Sequence, residues 1–235
     1  MVEPSATVPP AGPPSEHPSL EDPGYRCAVL ELLGLLAYGE VAAFNRLAKD
    51  AQHAPALADQ LVLSRMAAGE LSHVDGLEQY VASFGGDLTA SMEPFRGVLG
   101  DFDDRTSPRD WWERLMKTYI GYGIVFDFQR EVSGGLDPQT RAVVDGVLAD
   151  NGHADYVVSV LIPAIAAEPQ LGARLALWGR RVVGDALGVA QHALAEHPVL
   201  AQLVSRVRPE DDAAKLLNRL AGVHSARMER LGLNA

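Results

Sequence analysis

The sequence contains one cysteine, Cys27, in 235 residues. An internal disulfide is therefore excluded, and the composition fits a protein of the reducing cytoplasm. Uninterrupted apolar runs of about 18 residues, the length that a membrane helix needs, are also missing. The sequence does not open on a basic segment followed by an apolar one. We therefore expect neither a secretory signal nor a membrane-spanning segment.

Basic residues are few relative to acidic ones. The 20 Lys and Arg side chains stand against 31 Asp and Glu, which gives a formal net charge of -11. Proteins bind nucleic acids mainly through Lys and Arg on the phosphates. The overall charge therefore gives no support to a nucleic-acid partner, although it leaves room for a local basic patch.

Signals for β-strands are nearly absent, because apolar and polar residues do not alternate over any sustained stretch. Residues 1–24 hold seven of the fifteen prolines and few large apolar residues, which predicts a disordered tail. From Tyr25 onward, apolar residues recur at the spacing of amphipathic helices. We therefore predict an all-α domain over residues 25–235, with a core bundle over 25–167 and additional helices over 169–231.

The breaks between helices predict how the helices connect. Pro55 separates the first two helices, and Gly134 with Gly135 separates the third from the fourth, so both turns are short. A stretch of about twenty residues separates the second helix from the third. This order is typical of a ferritin-like four-helix bundle, in which a long crossover joins two antiparallel hairpins. The expected limits of the later helices are Ser107 (as N-cap) to about Val132, Asp137 to about Pro163, Pro169 to about Ala195, and Pro209 to about Leu231.

Two short motifs carry the chemistry: Glu70-Leu-Ser-His73 and Asp150-Asn-Gly-His153. In a helix, residues three apart share one face, and both pairs are expected on an apolar face. A buried carboxylate and imidazole are costly unless something compensates them, and a metal ion does so. A carboxylate and a histidine at this spacing, supplied twice, form half of the ligand set of a di-iron bundle.

Counting residues from the first turn adds a third ligand to the first motif. Glu40 precedes Glu70 by thirty residues, about fifteen on each side of Pro55. Because each helical residue rises about 1.5 Å, residues equidistant from a turn lie at the same height. We therefore expect Glu40, Glu70 and His73 to meet.

The same count gives two candidates in the second hairpin. The partner of Asp150 is expected near residues 120–122, where Tyr122 lies on the inward face. The nearest carboxylate is Asp127, about 7 Å lower by helix rise. A π-bulge in this helix would shift Asp127 toward the site. The Asp127 carboxylate would then supply the fourth negative charge for two Fe(II) ions. Alternatively, metal binding would deprotonate Tyr122. We prefer Asp127 as the ligand and keep Tyr122 as the second candidate.

With these residues in view, the sequence resembles the ferritin-like superfamily, and within it actinobacterial proteins similar to the tRNA hydroxylase MiaE. The resemblance spans residues 25–195 and rests on Glu40, the two motifs and the segment 119–131. It implies that the matching residues bind two iron ions, which activate dioxygen for hydroxylation. The residues that match the pattern are Glu40, Glu70, His73, Asp150 and His153.

Two functions remain open. The first is an oxygen-activating non-haem di-iron hydroxylase or monooxygenase acting on a small molecule or a modified nucleoside, with an electron-donor protein. Manganese suits the ligand set nearly as well. In this enzyme Glu70 would bridge the two metal ions. A tRNA substrate is implied by the resemblance alone. The sequence leaves open whether the protein forms a homodimer. The second function is a ferritin-like bundle with an incomplete metal site that serves as a non-catalytic interaction module.

Overall fold

The computed structural model describes residues 18–149 and 152–234, in which helices are joined by turns and loops and no strand occurs. The first hairpin consists of α1 (Pro23–Gln52) and α2 (Leu57–Ser83). The predicted all-α fold is confirmed. The remaining helices, in chain order, are α3 (Leu88–Met92), α4 (Gly100–Arg105), α5 (Trp111–Lys117), α6 (Gly123–Ser133), α7 (Pro138–Val147), α8 (His153–Ala167), α9 (Pro169–Glu196), α10 (Pro198–Val207) and α11 (Ala213–Arg230).

Helix α1 is the central helix of the fold. It begins at Pro23, two residues before the expected start, because the Asp22 carboxylate caps the backbone N–H groups of Gly24 and Tyr25. Its length and mean hydropathy of 1.7 over the most apolar window match those of a membrane span. However, 56% of that window is buried inside the protein, as in the core helix of a bundle. The expectation from the sequence that no segment spans a membrane stays a prediction.

The long connection between the hairpins contains short helical turns, as its broken pattern predicts. It packs so closely on α1 that a Cβ at Gly34 would collide with the backbone carbonyl of Ser91. Asp103 in α4 then fixes the connection to the bundle, since it pairs with the buried Lys117 at 2.7 Å and with Arg46 of α1. These contacts hold the crossover beside the first hairpin.

The third bundle helix begins at Trp111, so the prediction of Ser107 as its N-cap is wrong. The Asp110 side chain accepts from the backbone N–H of Glu113 at 2.9 Å, and Glu113 in turn accepts from the N–H of Arg109 at 2.8 Å. These two bonds make Asp110 the N-cap of the helix. The helix then continues to Ser133 with a π-helical segment, Thr118–Tyr122, in its middle.

The predicted fourth helix is divided in two. Helix α7 ends at Val147 and α8 begins at His153, after Gly152 in a left-handed conformation with φ of +78°. Only glycine adopts this conformation readily, and it ends the continuous helix that the periodicity predicts. Pro163, expected to kink or end the helix, lies inside α8. Asp150 lies outside the described residues, so the expectation that it shares a helix face with His153 stays a prediction.

The last helices close the bundle from one side. Helix α9 agrees with its predicted limits within about one residue, whereas α10 was not predicted. Helix α11 begins after Asp212, whose carboxylate accepts from the N–H of Lys215 at 2.8 Å. Its apolar stripe packs on α9 and α6. This packing brings the end of α11 next to the π-helical segment.

Candidate metal centre

Three predicted ligands meet between α1 and α2. The ligand atoms of Glu40, Glu70 and His73 all lie within 4.8 Å of one another. Nδ1 of His73 is 2.8 Å from Oε2 of Glu40 and 3.8 Å from Oε2 of Glu70. The turn between the helices, four residues long, places them at one height, as the residue count predicts. Within the described chain, the structure thus assembles a half-site of two carboxylates and one imidazole.

The two carboxyl groups of this cluster are buried and face each other. Burial raises the pKa of Glu40 to about 7. Burial, together with the neighbouring Glu40, raises the pKa of Glu70 to about 9. Without a cation, the pair therefore holds protons near neutral pH. A metal ion would replace those protons and neutralise the carboxylates.

The cluster fits a metal ion on a second ground. When both carboxyls are ionised, Oε1 of Glu40 is buried and has no hydrogen-bond donor among the described residues. A buried oxygen without a partner is costly, and coordination would satisfy it. Two carboxylates and an imidazole Nδ1 form a mixed oxygen–nitrogen donor set that suits iron or manganese. The residues present therefore fit a first metal ion.

A cavity of about 340 Å³ opens from this cluster toward the second hairpin. Glu70 and His153 lie in its wall, so the cavity joins the first half-site to the second motif. The π-helical segment supplies Thr118, Tyr119 and Tyr122 to the same wall. Because a π-turn widens a helix locally, it presents more side chains to one side than a regular turn does. The π-bulge that the sequence hypothesis needed is present in the structure.

The second half-site is only partly described. His153 lies at the first position of α8 and faces the cavity, whereas Asp150 lies outside the described residues. The ligand role of both residues stays a prediction. A second metal ion would bind next to Glu70, on the cavity side of the cluster.

Tyr122 is a neutral wall residue of the cavity. Its hydroxyl donates to the backbone carbonyl of Ala42, with an oxygen–oxygen distance of 3.2 Å. Burial raises the pKa of the Tyr122 phenol above its ordinary value. Both features favour the phenol over the phenolate in the metal-free protein, and a role of Tyr122 at the metal site stays a prediction.

Asp127 is held by arginines. Its Oδ2 lies 2.6 Å from Nη2 of Arg227, and its Oδ1 lies 3.8 Å from Nη1 of Arg130. The structure therefore places the Asp127 carboxylate in an ion pair with α11, apart from the Glu40 cluster. Its role as fourth acidic ligand stays a prediction.

Three arginines of the cavity wall were missed by the sequence analysis. Arg130 comes from α6, and Arg227 and Arg230 come from α11. The amphipathic pattern of α11 was recognised, but the pattern alone does not show which surface the helix covers. The basic C-terminal end of α11, in an otherwise acidic chain, is the one sequence signal that pointed to Arg227 and Arg230.

Comparison with known proteins agrees with this architecture. The family described as "Ferritin-like domain, actinomycetes" matches residues 23–207. No curated protein matches the sequence. Among solved structures, "Protein 19 with aldehyde deformylating oxidase activity from Synechococcus" superposes with a TM-score of 0.66 at 20% identity. The superposition covers 92% of this chain and 95% of that one.

These matches support different parts of the resemblance. At 20% identity, the solved structure shows a shared fold. The family match covers well over half of the chain and includes the cluster and the π-helical segment. The MiaE-like part of the resemblance stays a prediction. By its matched residues, the chain belongs to the actinomycete family of ferritin-like domains.

Proposed function

We propose that the protein is a cytoplasmic oxygen-activating enzyme with two metal ions, preferably iron, and that it hydroxylates a substrate held in the 340 Å³ cavity. One observation carries the proposal: Glu70 belongs both to the ligand cluster and to the cavity wall, where His153 also lies. A substrate in this cavity therefore lies directly beside the metal ligands.

The residues around the cavity have separable tasks. Glu40, Glu70 and His73 would hold the first metal ion, and His153 with Asp150 and Glu70 would hold the second. When bound, a pair of iron ions supplies the redox chemistry that activates dioxygen. Tyr122 and Phe126 line the same cavity as Glu70. An electron-donor protein supplies the reducing equivalents.

In this proposal Asp127 is not a metal ligand but pairs with Arg227 beside the site. Direct coordination of a metal ion by Asp127, as predicted from the sequence, is the alternative. Three carboxylates, Glu40, Glu70 and Asp150, then face the four positive charges of two Fe(II) ions. The remaining charge would be balanced by an exogenous anion in the cavity. A wall with three arginines is consistent with such an anion.

Dioxygen consumption by the reduced, iron-loaded protein tests this proposal. Wild type and the control E78Q, which alters an exposed glutamate on the same helix, are expected to consume dioxygen as the iron is oxidised. E70Q removes the carboxylate shared by cluster and cavity and is expected to abolish that consumption. Equal consumption by E70Q and wild type would exclude this site.

The reaction class needs its own readout. Aldehyde deformylating oxidase activity is named for the solved neighbour, and this chain shares its fold. Incubation with a medium-chain aldehyde separates the two reactions, because deformylation releases formate and hydroxylation does not. We expect no formate, and formate release would assign the neighbour's reaction class instead. The non-catalytic module is the outcome if the protein binds one metal ion or none.

A further inference from the structure

The first turn of α8 carries His153, the histidine of the second motif. The residue before it, Gly152, has a φ of +78° and ends the continuity with α7. Because a glycine in this conformation breaks the helix, the direction of α8 does not follow from that of α7. The position of His153 is therefore set by the contacts that α8 itself makes.

Apolar packing holds α8 against the rest of the bundle. Val157 and Leu161 are fully buried, and the helix packs on α9, α5 and the π-helical segment. The ligands of the first half-site come from other helices, α1 and α2. This packing therefore does not by itself relate the first turn of α8 to the helix that carries Glu70 and His73.

Tyr156 connects α8 to α2. Its hydroxyl donates to Oδ1 of Asp59, in the first turn of α2, with an oxygen–oxygen distance of 2.9 Å. Burial and the neighbouring Asp59 raise the pKa of the Tyr156 phenol, so the hydroxyl remains a donor at neutral pH. The Tyr156 side chain also packs on the small apolar cluster between α1 and α2, which consists of Leu47, Ala51, Leu63 and Ala67.

This hydrogen bond lies close to His153 along α8. Tyr156 and His153 are three residues apart, so they share one face of the helix and are separated by about 4.5 Å of helix rise. A shift of Tyr156 relative to Asp59 would therefore move His153 as well. The same turn has a second tie, from Asp155 to Arg230 of α11, but these side chains are 70% and 48% exposed. An ion pair this exposed contributes little.

We infer that Tyr156 is a positioning residue of the second metal site, and that its hydrogen bond to Asp59 holds His153 in place relative to Glu70. Tyr156 acts through His153 and is not itself a ligand. The inference rests on the proposed function, because it concerns the second of the two metal ions. It adds a residue that neither the ligand motifs nor the cavity wall contains.

Anaerobic calorimetric titration of the metal-free, full-length protein with Fe(II) tests this inference. Wild type is expected to show two binding events per chain. Y156F keeps the aromatic ring and removes only the hydroxyl. It is expected to weaken the second event about tenfold, which corresponds to the loss of one hydrogen bond to a charged group. The first event should be unchanged, whereas a general loss of structure would weaken both.

Variants of the acceptor show whether the hydrogen bond itself matters. D59A removes the acceptor and is expected to reproduce the loss, whereas D59N keeps an oxygen that accepts from the hydroxyl and should retain most of the affinity for the second ion. The double variant Y156F/D59A should bind no more weakly than either single variant, because both remove the same bond. The matched control is D155N, which breaks the exposed ion pair of the same turn and should bind both ions like wild type.

The outcomes separate this inference from the proposed function. Two events of equal affinity in wild type and Y156F would overturn the inference and leave the dinuclear centre intact. Weakening of both events in Y156F would also overturn it, because the role of Tyr156 would then be structural only. A single event or none in wild type would refute the proposed function, and the inference with it.

Discussion

Nδ1 of His73 lies 2.8 Å from Oε2 of Glu40, although 33 residues separate the two along the chain. The contact joins α1 to α2 at the level of Glu70 and creates a site that neither helix contains alone. Because the three side chains lie together and both carboxyl groups are buried, their protonation, their metal affinity and the stability of the hairpin depend on one another.

Metal uptake by the cluster should release protons. With pKa values of about 7 for Glu40 and about 9 for Glu70, both carboxyls are protonated below about pH 7 in the metal-free protein. Metal affinity should therefore rise with pH by up to about two powers of ten per pH unit below pH 7, and by about one between pH 7 and 9. Calorimetry in buffers of different ionisation enthalpy measures the released protons. Affinity that does not change with pH would exclude these carboxyls as ligands.

The metal-free protein should lose stability as pH rises. The pKa of Glu70 is raised from 4.5 to about 9 in the folded protein. Between these values the folded state holds a proton that the unfolded chain has released, so the free energy of unfolding falls with increasing pH. Denaturant titrations from pH 5 to pH 9 should show a shallower fall for E70Q than for wild type. The control E78Q should follow wild type, and identical slopes for E70Q and wild type would contradict the raised pKa.

Loss of the ion pair that fixes the crossover should lower the free energy of unfolding. Asp103 pairs with Lys117, which is 1% exposed. D103N leaves this ammonium and Arg46 without their shared carboxylate, at an expected cost of about 2 kcal/mol in the free energy of unfolding. Chemical denaturation measures the loss. The double variant D103N/K117M should recover part of it, because an apolar side chain replaces the unpaired charge. A neutral effect of D103N would show that the crossover is held by other contacts.

Close packing of the crossover on α1 gives a second stability prediction. G34A introduces a Cβ that collides with the backbone carbonyl of Ser91, and it should destabilise the protein by about 1–3 kcal/mol. G76A adds a methyl group in α2 with no atom within 4 Å, and it should stabilise the protein by about 0.5–1 kcal/mol. Thermal denaturation of both variants checks the pair. Similar melting temperatures would refute the close approach of α3 to α1.

Tyr122 should not be a metal ligand. Its buried phenol donates to the carbonyl of Ala42, and burial raises the pKa of the phenol. The iron-loaded protein should therefore lack a strong phenolate-to-iron absorption band, and Y122F should keep the wild-type iron content. A strong visible band that disappears in Y122F would instead assign Tyr122 to the second metal.

The sequence predicted the first half-site because α1 and α2 are regular helices joined by a short turn. In such a hairpin, the number of residues from the turn measures height directly. The prediction that Glu40, Glu70 and His73 would meet needed only this count and the apolar faces. The all-α fold followed in the same way from helical spacing and loop lengths.

The second hairpin could not be predicted by the same count. A π-helical segment at Thr118–Tyr122 changes the rise and the facing of the third bundle helix, and Gly152 divides the predicted fourth helix. Both features break the proportionality between residue number and height. The partnership of Asp127 with Arg227 depends on how α11 packs, and 100 residues separate the two. Tertiary packing of that kind leaves no local pattern in the sequence.

Iron content per chain tests the central claim most directly. Protein loaded anaerobically with Fe(II), freed of excess metal and measured by elemental analysis should contain two iron ions per chain. E78Q should match wild type, and E70Q should lose most of the iron because the shared carboxylate is gone. One iron ion or none in wild type, or an iron content that E70Q leaves unchanged, would contradict a dinuclear centre at Glu40, Glu70 and His73.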